Sequence, residues 1–241
     1  MRRSSGFTLV ELIVVIVIVL VLAGLIVPVL MRSRIKGLET KCMNNLRQLG
    51  TALMLYRDSN MRNGRELHPL RLTSGLIPHY IPNADLLLCP LDTSYGTAGG
   101  KPPKAIDQFP ELDEPGLSYM YEFSMAAECS WDWRNWLSLP TSGSFDAFID
   151  LDGEASSKWG EVKAAQMRYG DKFLNPGYSA GNPASWSNLR GYPPTRFPVL
   201  RCFWHTADPD TTSPDAIFNL SYQGNVFRSG AKWEEQTLNV W

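Results

Sequence analysis

Apolar and polar positions divide the chain into stretches of different character. From Gly6 to Met31 it reads GFTLVELIVVIVIVLVLAGLIVPVLM, apolar on every side with Glu11 as its one charge. About 20 apolar residues cross a hydrocarbon core as a helix, so this stretch is long enough to span. Ahead of it stands Met1-Arg2-Arg3-Ser4-Ser5, a short basic leader of the kind kept on the cytoplasmic side. Beyond Met31 the cations of Arg32-Ser33-Arg34-Ile35-Lys36 suit a headgroup boundary, and the pattern changes. Ile35, Leu38, Cys42, Leu46, Leu49, Leu53 and Tyr56 recur at spacings of three and four, one apolar stripe on a helix. Glu39, Lys41, Asn44, Asn45, Arg47 and Gln48 fall on the other face, as on a helix docked to a soluble domain. The prediction is one long helix, first an anchor and then a spine, ending at Asp58-Ser59-Asn60. A break at Met31-Arg32 is the competing reading. Pro28 removes a backbone hydrogen bond, so a kink is expected near Gly24 and Pro28.

The remaining pattern is weaker. Asn63-Gly64 marks a turn. A short helix and turn is expected between His68 and Pro82, with Leu70, Leu72, Leu76 and Ile77 inward. Leu86-Leu87-Leu88-Cys89 is an apolar, strand-like run stopped by Pro90, and 93–114 reads as loop. Leu117 to Phe123 alternates as a strand does, and Lys158 to Tyr169 suits a short helix. Phe197 to Trp204 reads as a strand. Ala216–Tyr222 and Val226–Ser229 read as a hairpin turning at Gly224, and Lys232–Val240 as a last strand with Trp233 inside. About 124–190, with Trp131, Trp133, Trp136, Trp159 and Trp186, shows no repeat and is taken as an insertion.

Glu11 is the anomaly in the apolar stretch. A carboxylate in a spanning helix costs about 2.5–3.5 kcal/mol on insertion scales and generally has a functional partner. A secretory signal has an apolar core of only about 7–15 residues before a small-residue cleavage site. A plain anchor accounts for the length but not for the opening Gly6-Phe7-Thr8-Leu9-Val10-Glu11.

That opening, followed by the apolar helix, resembles the amino-terminal signature of type IV pilins and type II secretion pseudopilins. The resemblance implies that a prepilin peptidase cuts between Gly6 and Phe7 and methylates the new amine of Phe7. It implies that Glu11, fifth in the mature chain, meets the amino terminus of a neighbouring subunit during assembly. A cation beside a carboxylate in low dielectric stabilises both charges. Met43 to Gly50, Leu76 to Pro82 and Leu88-Cys89-Pro90 resemble a subgroup like the major pseudopilin, over about the first 95 residues. Part of that subgroup carries a His before the last hairpin and an Asp-Gly pair within it. His205 matches the first, whereas Gln223-Gly224 replaces the second and keeps only the turn role.

With 23 basic and 24 acidic residues the net charge is −1, which gives no electrostatic footprint for nucleic acid. Roughly 200 residues beyond the membrane stretch suffice for one soluble core. No Gly-x-Ser-x-Gly, phosphate-binding, dinucleotide-binding or zincin motif is present, so no catalytic group is named. The cysteines Cys42, Cys89, Cys129 and Cys202 contain no C-x-x-C pair. In an oxidising compartment one or two disulfides could form, and Cys89 with Cys202 is the preferred pair because both end apolar strand-like runs. Cys202 and His205 form a Cys-x-x-His pair, but zinc would need two more ligands. His68 and His79 stand at no metal-ligand spacing from another histidine. Asp150-Leu151-Asp152-Gly153-Glu154 looks like a calcium-loop fragment without the closing Glu, and a solvated turn is the simpler reading. Asp208, Asp210 and Asp215 make a second oxygen-rich loop. Because major pseudopilins have a calcium site in a carboxy-terminal loop, the resemblance makes calcium a candidate there.

Together these readings give an α+β, pilin-like fold: a long amino-terminal helix on a small antiparallel sheet with a loop-rich insertion. The boundaries are a leader over 1–6, a membrane or filament-core helix over 7–31, an amphipathic spine over 32–58 and a globular domain over 59–241. The expected role is structural. A single-pass inner-membrane subunit, with its domain in the periplasm, is processed by prepilin peptidase. An inner-membrane assembly platform then builds it with other pseudopilins into a filament. The alternative is a membrane-tethered or filament-tip module whose aromatic insertion binds a ligand such as a glycan, although core packing is the commoner use of such residues.

Overall fold

The computed structural model describes residues 9–62, 65–66, 68–97, 116–124, 159–170, 190–205, 217–230 and 233. Helix α1 spans Leu9–Ser59 without a break, so the two-helix reading does not hold. The chain divides into two compact units, Met1–Lys41 and Cys42–Trp241. In the first, the apolar side chains from Leu9 to Met31 are all exposed, as a surface made for lipid or other helices requires. At about 1.5 Å per residue, Leu9 to Met31 covers roughly 34 Å, enough for a hydrocarbon core of about 30 Å. Pro28 lies inside the helix and has no N–H to offer the carbonyl of Gly24, four residues back.

In the second unit the stripe is buried from Cys42 onward: Cys42, Leu46 and Leu49 are fully enclosed and Leu53 nearly so. Full burial of a Leu side chain contributes about 1.5–3 kcal/mol, so these positions hold the helix to the domain. Two expectations need correction. Ile35 is half-exposed, because the domain begins to cover the helix at Cys42, whereas Tyr56 is half-buried and packs against the core. Asn45, assigned to the polar face, is buried and donates from Nδ2 to the Leu88 carbonyl at 3.1 Å.

A short ladder pairs β1 (Met61–Arg62) antiparallel with β2 (Arg65–Glu66). Helix α2 is only Leu72–Leu76. Its two buried leucines lie four residues apart on one face, and Leu70, expected inward, is exposed ahead of it. Leu86–Cys89 is not strand-like either. Asn83 accepts a hydrogen bond from the Asp85 N–H and starts a 3₁₀ turn over Ala84–Leu87.

The main sheet runs β3 (Met120–Tyr121), β4 (Pro198–Cys202), β5 (Ile217–Ser221), β6 (Val226–Ser229), every neighbour antiparallel. Strands β4 and β5 are buried at every position, and the two-residue period shows how. Leu220 approaches α1 so closely that a Cβ on Gly50 would lie 2.8 Å from its Cδ1. Its partner Leu200 and the pair Cys202–Phe218 share that face. Arg201 and Asn219, paired across the strands, turn the other way.

There they meet Glu122 and helix α3 (Trp159–Tyr169). Glu122 sits 3.4 Å from Lys163 Nζ and 3.4 Å from an Arg201 terminal nitrogen, all three side chains being fully buried. Arg201 Nε donates to the Asn219 side chain at 3.2 Å and Lys163 to Gln166 at 3.1 Å. The sheet is therefore covered by α1 on one face and α3 on the other. The helix expected at 158–169 forms, and Trp159, Val162 and Ala165 pack it into the domain.

The β5–β6 hairpin turns at Gly224, as the pattern predicted. Its φ of +84° belongs to glycine, and the Met54 methyl of α1 occupies the space a Cβ would need. Trp233 is buried against Tyr192 and Phe197, at ring separations of 4.8 and 4.9 Å. The rest of the strand expected at 232–240 lies outside the described residues.

Removing the anion of the buried cluster leaves two cations without it. Glu122→Ala is expected to destabilise the domain by about 3–5 kcal/mol, read as a lowered thermal midpoint by near-ultraviolet circular dichroism of the full chain in detergent.

Candidate functional site

At the amino-terminal end, Gly6 and Phe7 lie outside the described residues. Glu11 stands in the first turn of α1, where the positive end of the helix dipole favours a carboxylate. Gly24 and Pro28 follow on the same apolar helix. This segment has the length, uniform hydropathy and single acidic group that the sequence pattern predicted.

Where the helix ends, a ring of aromatic and cationic groups ties it to the hairpin. Arg57 donates to the Tyr222 carbonyl at 2.9 Å and lies 4.1 Å above the Tyr222 ring. His68 stacks on Phe123 at 4.4 Å, with Tyr222 5.7 Å away. Burial, and then the positive charge of Arg57, lower the His68 pKa from 6.5 to about 3. The imidazole is therefore neutral in the folded domain.

A second polar knot fixes the segment after the 3₁₀ turn. The buried Asp92 accepts from the Ser94 N–H at 2.7 Å, the Gly96 N–H at 2.8 Å and the hydroxyls of Ser94 and Ser118. Burial pushes this carboxyl up, but the hydrogen bonds outweigh it and hold it below the usual range. The knot positions Cys89, whose carbonyl accepts from the Asp92 N–H at 2.9 Å.

Cys89 belongs to the densest cluster of reactive side chains among the described residues. Cys42 comes from α1, Cys89 from the segment after the 3₁₀ turn, Cys202 from the end of β4, and His205 from three residues further on. Their ligand atoms all lie within 4.8 Å of one another. The Cys42 and Cys202 sulfurs are 3.7 Å apart, and His205 Nε2 is 3.4 Å from the Cys89 sulfur. The expected Cys89–Cys202 bridge is not formed: Cys42, Cys89 and Cys202 are free thiols. Hydrogen bonds from Cys202, then Cys42, draw the Cys89 thiol well down, with His205 adding to the effect, whereas burial pushes Cys202 up.

Sequence reasoning found the Cys202–His205 pair but placed Cys42 only in the helix stripe. Residues 160 positions apart meet here, and no local spacing announces that. Cys129, the loop Asp150 to Glu154 and the calcium candidates Asp208, Asp210 and Asp215 lie outside the described residues. So do Trp131, Trp133, Trp136 and Trp186 of the aromatic insertion. Trp159 and Trp233 are core residues at 1% exposure, and Trp204 is half-buried with its indole N–H on the Ser118 carbonyl.

Comparison with known proteins bears on the amino-terminal part. Residues 1–27 match the prokaryotic N-terminal methylation motif. The type II secretion system core protein G of Aeromonas hydrophila is 46% identical over 61 residues, covering 25% of this chain and 43% of that protein. The core protein G of Klebsiella pneumoniae is 47% identical over 62 residues, 26% of this chain and 44% of that protein. That of Vibrio cholerae is 38% identical over 60 residues, 25% and 41% respectively. The chain thus spans less than half the length of the curated relatives it matches. No solved structure gives a significant match. The motif and these matches make the amino-terminal segment similar to that of the type II secretion system core protein G. With the apolar half of α1, they mark it as a membrane anchor.

The half-buried His68 generates a pH dependence. Between about 6.5 and about 3 the unfolded chain binds a proton that the folded domain refuses, so stability falls as pH falls through that window. His68→Phe keeps a ring on Phe123 and is expected to flatten this part of the stability–pH profile. Urea midpoints at a series of pH values would show it.

Proposed function

We propose that this chain is a structural subunit of a type II secretion pseudopilus or a related type IV pilus-like filament. The observation that carries the reading is the prepilin motif continuous with an apolar helix and with the similarity to core protein G. In this reading prepilin peptidase cuts after Gly6 and methylates Phe7. The chain waits as a single-pass protein of the inner membrane with its domain in the periplasm. An assembly platform then moves the helix out of the bilayer into a filament of identical or related subunits.

Physical chemistry gives the parts their roles. The half of α1 that is apolar all round can exchange lipid for neighbouring helices at little cost, because both surroundings are apolar. Glu11 gains a cation when the methylated amine of a neighbour docks beside it, which favours one axial register over others. The loss of one backbone hydrogen bond at Pro28 makes the stretch from Gly24 the place where the helix would yield on assembly. Calcium at Asp208, Asp210 and Asp215 would brace the carboxy-terminal loop.

The alternative, a tethered or tip module binding a ligand such as a glycan, draws on the wealth of aromatic residues. The burial of Trp159 and Trp233 speaks for packing as their use, which favours the filament role.

Co-expression with a prepilin peptidase and mass analysis of the amino-terminal peptide test the reading. A peptide starting at Phe7 with one added methyl group is expected, and retention of residues 1 to 6 beside an active peptidase would overturn it. Glu11→Leu is expected to be cut normally but to enter filaments at least about tenfold less well, the equivalent of about 1.4 kcal/mol per contact. Immunoblotting of sheared filament fractions measures this.

A further inference from the structure

We propose that Cys42, Cys89, Cys202 and His205 form a structural zinc site that fastens the spine helix to the domain. Zinc takes four sulfur and nitrogen ligands in tetrahedral array, with Zn–S about 2.3 Å and Zn–N about 2.0–2.1 Å. The edges of such a tetrahedron are about 3.8 Å between two sulfurs and about 3.5 Å between sulfur and nitrogen. The Cys42–Cys202 separation of 3.7 Å and the Cys89–His205 separation of 3.4 Å match these edges. All four donor atoms fall within 4.8 Å of one another, so one ion can reach them together.

The chemistry of the set favours this use over a disulfide. A bridge between any two of the thiols would leave the third, with the imidazole, beside it in the core. One zinc ion engages all four. Thiolate and imidazole donors suit zinc, and the burial of Cys42, Cys89 and Cys202 to 0–2% exposure, with His205 half-buried at the edge, suits a four-ligand structural site. His205 presents Nε2 to the sulfurs, so its proton would sit on Nδ1. Each thiol that binds as thiolate releases its proton to solvent. Three thiolates around one divalent ion leave a single negative charge.

The position gives the ion its task. Its ligands come from α1, the segment after the 3₁₀ turn, the end of β4 and the turn beyond it, which are distant in sequence and joined here without a covalent link. Because the unfolded chain offers no such site, zinc affinity becomes folding stability. The cluster also marks where the domain begins to cover α1, at Cys42. The inference stands apart from the filament reading, since a tethered domain would need the same fastening.

The full chain purified in detergent, dialysed against metal-free buffer after exposure to Zn²⁺, tests it by elemental analysis. One zinc per chain is expected in the wild type and in His79→Ala, an exposed histidine elsewhere. Cys42→Ser, Cys89→Ser, Cys202→Ser and His205→Ala are expected to lose at least about nine-tenths of it, and His205→Cys to keep it. Should the serine variants not fold, Co²⁺ loaded into the wild type decides. Thiolate-to-cobalt charge-transfer bands with tetrahedral d–d intensity are expected. Zinc-free wild type, with the cysteines found as thiols or as a disulfide, would overturn the proposal, as would zinc retained without these residues.

Discussion

One helix has to satisfy two surroundings, and the rest of the structure follows from that constraint. Over its first half α1 offers Leu, Ile and Val in all directions, the surface that lipid or packed helices accept. Over its second half it offers a stripe, and everything off the stripe must suit water. The change from ring to stripe sets where a domain can begin. It begins at Cys42, where the first fully buried side chain of the helix appears.

From there the domain is assembled outward from the helix. Leu220 of β5 fits against Gly50 because no side chain stands between them, and the hairpin turn closes over Met54 because residue 224 is also glycine. These close approaches bring the sheet near enough for Cys202 and His205 to reach Cys42. On the far face the sheet would end in exposed strands, but Arg201 and Asn219 point outward and need partners there. Glu122 meets Arg201 and Ser229 meets Asn219, and α3 comes with Lys163, which pairs with the same Glu122. The apolar face thus holds the domain to its helix. The polar face sets which element covers the sheet, since a buried charge cluster tolerates few alternative neighbours.

Two groups whose ionisation the fold controls lie at the ends of this arrangement. His68 is kept neutral at the hairpin end and Asp92 is kept ionised beside the cysteine cluster. Each pins a loop to the sheet through stacking or hydrogen bonds, and each links loop order to pH through a different proton.

The long helix, its change of character, the hairpin at Gly224 and the helix at 159–169 were legible in the chain because each rests on contacts between near neighbours. Periods of 3.6 and 2, a proline or a glycine at a turn announce themselves locally. The pilin-like opening from Gly6 to Glu11 was legible for the same reason, as a contiguous motif. What the sequence left open depends on residues far apart. Asn45 reads as a surface residue until the Leu88 carbonyl is brought against it. Leu86 to Cys89 reads as a strand until Asn83 caps a turn. The helix near 159 shows only a partial period until Lys163 meets Glu122 and buries it. Cys202 and His205 were visible as a pair with two ligands missing, and only folding delivers Cys42 and Cys89 to the same point. Local free energies are written in adjacent residues, whereas a site shared by α1, a turn and a strand end exists only once the sheet has closed on the helix.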